Sequence, residues 1–204
     1  MAPARRLVPG LALIAAGAGA VHAQPADAPF DSEERRRLVA GELVRRPQAR
    51  REGPFRYVGG TSWQRVDAPP AAVFDALLDA RLYPALLPGV EAATVVVEGP
   101  RRRIVRLRHR YALVEASYHV VLRVDRRART IRFELDRTRP RDVRAGRGVL
   151  KVEPYREGSI VAWGVLVDVG GGLVTGLLEP LLREWLLRVP SCVRAHFHPE
   201  VASC

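Results

Sequence analysis

The sequence predicts an α+β fold in which a curved antiparallel β-sheet of about six or seven strands is closed by a long C-terminal α-helix. Apolar and polar residues alternate in the middle of the chain, most strictly from Ile104 to Tyr111, which is typical of a sheet with one buried face. Leucines then recur at helical spacing from Leu173 to Val189. Because strands twist, the sheet curls, and the helix is expected to cross its concave face.

The N-terminal 23 residues have the three parts of a secretory signal peptide. Arg5 and Arg6 form a basic start, an uncharged apolar run follows, and small residues precede a cleavage point after Ala23. The apolar run is short and rich in glycine for a membrane span. We therefore expect secretion across the inner membrane, with the mature protein in the periplasm. An uncleaved N-terminal anchor is the alternative.

Residues 24–54 are predicted to be an N-terminal extension with one short helix. Asp31 can cap this helix, because Glu34 follows three residues later as in a capping box. Pro47 prevents the helix from extending much further. The polar residues 47–54 are predicted to be a loop.

The remaining elements define a domain over residues 55–197 and a tail over 198–204. Residues 55–66 alternate as a strand, and residues 71–80 carry apolar side chains at helical spacing. A second short helix and a turn follow up to Val90. Later strands are expected at 94–98, 104–111, 118–124, 130–135, 148–154 and 159–168.

The charge of the chain argues against a nucleic-acid partner. The formal net charge is +11, and Lys151 is the only lysine among 33 basic residues. Nucleic-acid binders usually gather mixed lysine and arginine on one face, whereas these arginines are scattered along the chain. The arginine content is typical of a GC-rich genome. A weak contact between a basic surface and an anionic membrane stays open.

The two cysteines, Cys192 and Cys204, have neither the spacing of a CxxC pair nor that of zinc ligands. An exported chain would meet an oxidising compartment, where the two can pair. A disulfide and two free thiols are both compatible with the sequence. No metal and no cofactor are predicted.

A family resemblance is carried by two adjacent segments, DAPPAAVFDALLD at 67–79 and YPALLPGV at 83–90. They resemble the opening of START-like (SRPBCC) domains of the polyketide cyclase/dehydrase and coenzyme Q-binding type. The resemblance implies the helix-grip fold and a hydrophobic small-molecule ligand, such as a lipid, a sterol, an isoprenoid quinone or a polyketide-like compound. It transfers no catalytic residues, because the family shares a cavity rather than one set of acids and bases.

The side chains expected between sheet and helix are mainly aromatic, with a few polar tips. Such side chains suit an apolar pocket that orients its ligand through one or two hydrogen bonds. A solid core built from the same residues is the alternative. The candidate cavity residues are Tyr83, His109, Tyr111, Tyr118, Phe133, Trp163, Leu177, Leu181 and Trp185.

His109 is the only histidine on a face predicted to be buried. It is either a hydrogen-bonded core histidine or a polar anchor or base in the pocket. Glu115 and Asp168 are candidate pocket acids, although nothing in the sequence places them together. The chain lacks the nucleophile-elbow, HExxH, P-loop and GxGxxG motifs.

Three functions are compatible with these features. The first, which the sequence favours, is an exported carrier of an apolar small molecule. The second is an enzyme of the cyclase or aromatase kind that uses the same cavity. The third is an envelope protein whose basic surface contacts an anionic membrane.

Overall fold

The computed structural model describes residues 30–111, 114–170, 173–200 and 204, without the side chains of residues 111, 114 and 173–178. The signal segment at 1–23 and residues 24–29 lie outside this part of the chain. The described helices are α1 (Ser32–Val39), α2 (Pro70–Leu78), α3 (Tyr83–Leu86), α4 (Leu173–Leu186) and α5 (Val189–Phe197). The described strands are β1 (Val44–Glu52), β2 (Phe55–Val66), β3 (Val90–Val97), β4 (Arg102–Tyr111), β5 (Val114–Asp125), β6 (Thr130–Leu135), β7 (Ala145–Tyr155) and β8 (Gly158–Asp168).

The described strands form one antiparallel sheet in the order β1-β2-β8-β7-β6-β5-β4-β3. Strands β3 to β8 pair with their neighbours in sequence, and β2 pairs with β8, with Val58 opposite Val167. The main core lies between the concave face of this sheet and the helices α2, α3 and α5. The predicted α+β class is confirmed, with eight strands rather than six or seven.

The additional strand is β1, which corrects the prediction of a loop at residues 47–54. Its sequence, VRRPQARRE, lacks alternation because β1 is an edge strand paired only with β2. Pro47 is tolerated there, since an edge strand leaves one row of N–H groups without ladder partners. Gly59 and Gly60 in β2 have φ of 150° and 139°, and a β-carbon on either would collide with the backbone of β8 or β1.

Helix α1 packs on the convex face of the sheet against β1, β2 and β8. The predicted capping box is present: the Asp31 carboxylate accepts from the Glu34 N–H at 2.8 Å, and the Glu34 carboxylate accepts from the Asp31 N–H at 3.1 Å. Leu38 packs with Trp63 and Ile160 in a separate apolar cluster. This packing buries one face of α1. A helix this short would not be stable in water without such tertiary contacts.

The C-terminal helical segment is two helices rather than the single helix predicted over residues 173–189. Helix α4 ends at Leu186, and α5 begins at Val189 with Pro190 in its first turn. A proline lacks the N–H needed inside a helix but fits the first turn, so it marks a new start. None of the helices in the described ranges is long and apolar enough to cross a membrane.

Cys192 lies buried in α5 and forms a disulfide with Cys204. A Cys204→Ser variant is expected to lose about 3 kcal/mol of unfolding free energy, because the bond restricts a loop of 12 residues in the unfolded chain. Urea unfolding of the oxidised proteins measures this loss. In the presence of a reductant the two proteins should unfold at the same urea concentration, and a difference that persists there would contradict the prediction.

Candidate functional site

A cavity of about 330 Å³ lies between the concave face of the sheet, the segment after α3 and helix α4. No arginine, lysine, aspartate or glutamate lines it among the described residues. Its lining is apolar and aromatic apart from a few polar tips, and it includes Leu107, Val120, Leu122, Ile131, Leu135, Val143, Gly146, Leu150, Val165, Val167, Val169, Leu182 and Leu186. The interior of the fold is therefore hollow and mainly apolar, as in many small-molecule sites.

The polar feature of the cavity is a pair formed by His109 on β4 and Tyr118 on β5. Leu107 lies opposite Tyr118 in the ladder, so His109 occupies the diagonal position on the same face. The Tyr118 hydroxyl and His109 Nδ1 are 2.6 Å apart. The indole of Trp185, on α4, meets the imidazole edge-on with ring centroids 5.4 Å apart. The strand register and α4 together fix the position of this pair.

Burial changes the pKa values of both partners. It lowers the pKa of His109 to about 4 and raises the pKa of Tyr118 well above its usual range. Near neutral pH, both side chains are therefore uncharged and share a hydrogen bond. Such a pair can offer one polar group of a ligand a hydrogen bond without placing a charge in an apolar cavity.

The stability of the protein is expected to fall by about 2 kcal/mol more than that of a His109→Gln variant between pH 7 and pH 4. The folded-state pKa of about 4 lies below the ordinary value of 6.5. The unfolded chain therefore takes up the proton first, and the stability due to neutral His109 is complete above pH 6.5 and lost on descent to pH 4. The expected change in unfolding free energy is smaller than the full shift in the pKa of His109 would give, because solvent screens the charge of a partly exposed ring.

Urea unfolding of both proteins at several pH values tests this prediction. The difference in unfolding free energy between wild type and His109→Gln should change with pH and level off above pH 6.5. Two stability curves that run parallel across the range would contradict it.

Three other aromatic residues fix the walls of the cavity. Phe133 and Trp163 stack with ring centroids 4.8 Å apart. The Trp163 indole N–H donates to the carbonyl of Leu186 at 2.8 Å, which ties the end of α4 to the sheet. The Tyr83 hydroxyl donates to the carbonyl of Leu77 at 3.3 Å, and burial raises its pKa to about 12. These polar tips are occupied by the backbone, so the ligand would meet mainly ring faces.

The structure brings six of the nine candidate cavity residues to the lining, namely Tyr83, His109, Tyr118, Phe133, Trp163 and Trp185. The side chains of Tyr111 and Leu177 lie outside the described residues. Leu181 is a correction: its side chain faces solvent with 50% exposure, and Leu182 and Leu186 line the cavity instead. The predicted apolar stripe is therefore wider than the face that lines the cavity, and Leu181 lies at its exposed edge.

Sequence reasoning missed the cavity residues at the end of β8 and in β7. Val165, Val167 and Val169 line the cavity with the same parity as Trp163, so alternation from Trp163 would have found them. Nearly every residue of β8 is apolar, so its sequence does not show which side chains face the cavity. Gly146 could not be found in this way, because a glycine carries no hydrophobic signal for either face.

The two candidate acids lie outside the cavity lining. Glu115 is exposed and forms an ion pair with Arg110. Asp168 is buried, and its carboxylate accepts from the backbone N–H groups of Arg56 at 3.0 Å and Gly170 at 2.8 Å. It holds the start of β2 against the end of β8, which is a structural role.

The family model for polyketide cyclase/dehydrase and lipid transport proteins matches residues 60–194. This range covers most of the sheet, the cavity lining, helix α4 and most of α5. The chain belongs to this polyketide cyclase/dehydrase and lipid transport family. The START-like resemblance expected from residues 67–90 is confirmed. A search of curated proteins found none with significant sequence similarity to this chain.

Solved structures of other proteins share the fold of this chain. A STAR-related lipid transfer protein from Xanthomonas axonopodis is 14% identical with a TM-score of 0.60, and the match covers 74% of this chain and 98% of that chain. A Thermus thermophilus protein is 19% identical with a TM-score of 0.59, covering 70% and 98%. The ZhuI aromatase/cyclase from a Streptomyces species is 17% identical with a TM-score of 0.57, covering 72% and 96%. At these identities the likeness concerns the fold.

Proposed function

We propose that this protein is a carrier that shelters an apolar small molecule in the cavity between the sheet and α4. The observation that carries the proposal is a cavity of about 330 Å³ without a charged side chain in its described lining. Every 100 Å² of apolar ligand surface removed from water would contribute about 2.5 kcal/mol before the costs of association. The His109–Tyr118 pair would orient one polar group of the ligand.

The size of the cavity narrows the class of ligand. Small-molecule sites span about 300–1,000 Å³, and this cavity lies near the lower limit of that range. A compact aromatic ring system or a single acyl chain fits this volume better than a two-chain lipid. The parallel faces of Phe133 and Trp163 favour a flat or extended molecule against that wall.

We further propose that the carrier acts outside the cytoplasm, after cleavage behind Ala23. The signal-peptide pattern of residues 1–23 supports this location. The disulfide between Cys192 and Cys204 also suits an oxidising compartment. N-terminal sequencing of protein from the periplasmic fraction tests the proposal, and a chain that still begins at Met1 would contradict it.

Solvent extraction of protein purified from its native host tests the carrier function. Native mass spectrometry should show a bound mass of a few hundred daltons that disappears after extraction, and the extract should contain one apolar compound or a narrow class. A protein that shows only the apo mass, and that binds neither decanol nor an uncharged naphthylamine dye, is not such a carrier.

The hydrogen bond between His109 and Tyr118 also favours a second candidate, an enzyme of the cyclase or aromatase kind. A neutral imidazole beside a phenol can move protons on an enolisable substrate held in the cavity. The two functions are separable with a His109→Gln variant. An enzyme would lose turnover while keeping ligand affinity, whereas a carrier would show no turnover in either form.

A further inference from the structure

A second, open pocket lies beside the cavity at the end of the sheet where β6 stops and β7 begins. We name it the arginine groove; its volume is about 610 Å³, and it is lined by Phe55, Arg137, Arg139, Pro140, Arg141, Asp142, Val143 and Arg144. Four arginines and one aspartate therefore line a single concave surface. Clefts lined mainly by one sign of charge concentrate ions of the opposite sign, here anions.

The loop that carries these arginines, residues 136–144, is held in place by β5. The Asp136 N–H donates to the carbonyl of His119, and the Asp142 N–H donates to the carbonyl of Ser117. The Ser117 N–H donates in return to the Asp142 carboxylate at 2.8 Å. The Asp136 carboxylate also accepts from the backbone and the hydroxyl of Thr138. The arginines thus project from a fixed backbone.

Two guanidinium groups share one aromatic ring in the groove. Arg137 lies 4.9 Å and Arg144 5.7 Å from the ring centroid of Phe55. The described contacts give Arg137 no carboxylate partner. Arg144 forms an ion pair with the buried Asp168 carboxylate at 3.7 Å, and that carboxylate also accepts two backbone N–H groups. The charge of Arg137 is therefore uncompensated among the described contacts, whereas the charge of Arg144 is partly compensated.

The other two arginines differ in how far their charge is compensated. Arg139 pairs with the Asp136 carboxylate at 3.1 Å, so its charge is compensated locally. Arg141 donates to the carbonyl of Arg137 at 2.7 Å, which fixes its guanidinium beside the others without neutralising it. Arginine presents a planar set of donors that suits carboxylate and phosphate oxygens.

The arginine groove adjoins the cavity. Val143 lines both spaces. Val169 lines the cavity and is 37% exposed, so the cavity wall reaches the surface at this residue. Gly170 follows Val169 in the chain, and the side chain of Arg144 passes beside it: a β-carbon on Gly170 would lie 3.5 Å from Cδ of Arg144. A ligand that leaves the cavity at this end would meet the arginines.

We propose that the arginine groove binds the anionic headgroup, a carboxylate or a phosphate, of an amphiphilic ligand whose apolar part occupies the cavity. This inference rests on the proposed carrier function and names its ligand class. An ionised headgroup is strongly disfavoured inside an uncharged apolar cavity. The headgroup would stay at the rim, where Arg137 and Arg144 pair with its oxygens. The apolar part of the ligand would lie in the cavity, out of contact with water.

Decanoate and decanol form the matched pair of probes, because they share a chain and differ in the headgroup. Isothermal titration at low salt and pH 7.5 should show decanoate binding about tenfold more tightly than decanol, a difference of about 1.4 kcal/mol. An Arg137→Gln/Arg144→Gln variant should lose this preference and keep its affinity for decanol. Raising the salt concentration should reduce the preference in the wild type.

The matched control is an Arg102→Gln/Arg127→Gln variant, which removes the same charge at the opposite end of the sheet. Arg127 lies in the turn before β6, and Arg102 begins β4. This variant should retain the full preference for decanoate. If both double variants lost the preference for decanoate over decanol equally, the preference would come from the net charge of the protein, and the proposed headgroup site would be wrong.

The remaining outcomes separate the inference from the proposed function. Equal binding of decanoate and decanol to the wild type would overturn the headgroup site and leave the carrier intact. Binding of neither would overturn both. A groove-dependent binding to phosphatidylglycerol vesicles, with no preference for decanoate over decanol, would also overturn the proposal and assign the arginines to a membrane surface.

Discussion

A Gly146→Phe variant is expected to lose affinity for apolar ligands by at least about tenfold while remaining folded. Gly146 lines the cavity from β7, and a β-carbon there would meet only Cγ1 of Val167, at an ordinary contact distance of 3.7 Å. Its φ lies outside the left-handed region. The phenyl ring would therefore enter the cavity, occupy space that a ligand needs and bury its own apolar surface.

The stability of this variant separates blocking from unfolding. Phenylalanine has a higher strand propensity than glycine, and filling a cavity buries apolar surface, so the urea midpoint should be unchanged or higher. Binding is measured with an uncharged naphthylamine dye and with decanol. A Gly146→Ala variant is the matched control and should bind both probes. Retained binding in the folded Gly146→Phe protein would place the ligand elsewhere.

An Arg194→Met variant is expected to lose about 3 kcal/mol of unfolding free energy. Arg194 lies on α5 with 8% exposure, and its guanidinium donates to the carbonyls of Gly41 at 3.0 Å and Arg65 at 3.1 Å. Gln64 also donates to the Gly41 carbonyl, at 2.9 Å, and accepts from Ser191. Removal of the charged donor leaves buried carbonyls without full partners.

The loss should appear as a fall in melting temperature of about 6–12 °C for a chain of this size. Methionine keeps much of the aliphatic stem, so the effect isolates the guanidinium. Arg127→Met, in an exposed turn, removes the same group without these partners and should change stability by less than about 0.5 kcal/mol. Equal stability of the two variants would show that the hydrogen bonds of Arg194 make no net contribution to the unfolding free energy.

The parts of the fold that sequence predicted well are those where burial on one face imposes a period. Strand β4 alternates because Leu107 and His109 face the cavity, whereas Arg106, Arg108 and Arg110 are exposed. Asp31 and Glu34 specify the start of α1 through local hydrogen bonds, which need no tertiary context. The start of α2 is also specified locally, because Pro70 has the φ of a helix and fits the first turn, where its missing N–H is not needed.

The parts that sequence could not predict depend on long-range pairing. Residues 47–52 have no apolar face, and they form a strand because β2 offers a partner ladder. The break between α4 and α5 and the outward position of Leu181 both follow from how the helices meet the sheet. The arginine groove joins Phe55 to a loop more than 80 residues later, and such proximity has no local signal.

The pairing of β2 with β8 joins residues roughly a hundred positions apart. A ribosome must deliver almost the entire polypeptide before β2 gains its inner neighbour, so a growing chain cannot complete its sheet early. Non-local topologies of this kind form slowly, commonly in milliseconds to seconds. The cavity therefore cannot close around a ligand until nearly the whole chain has been made.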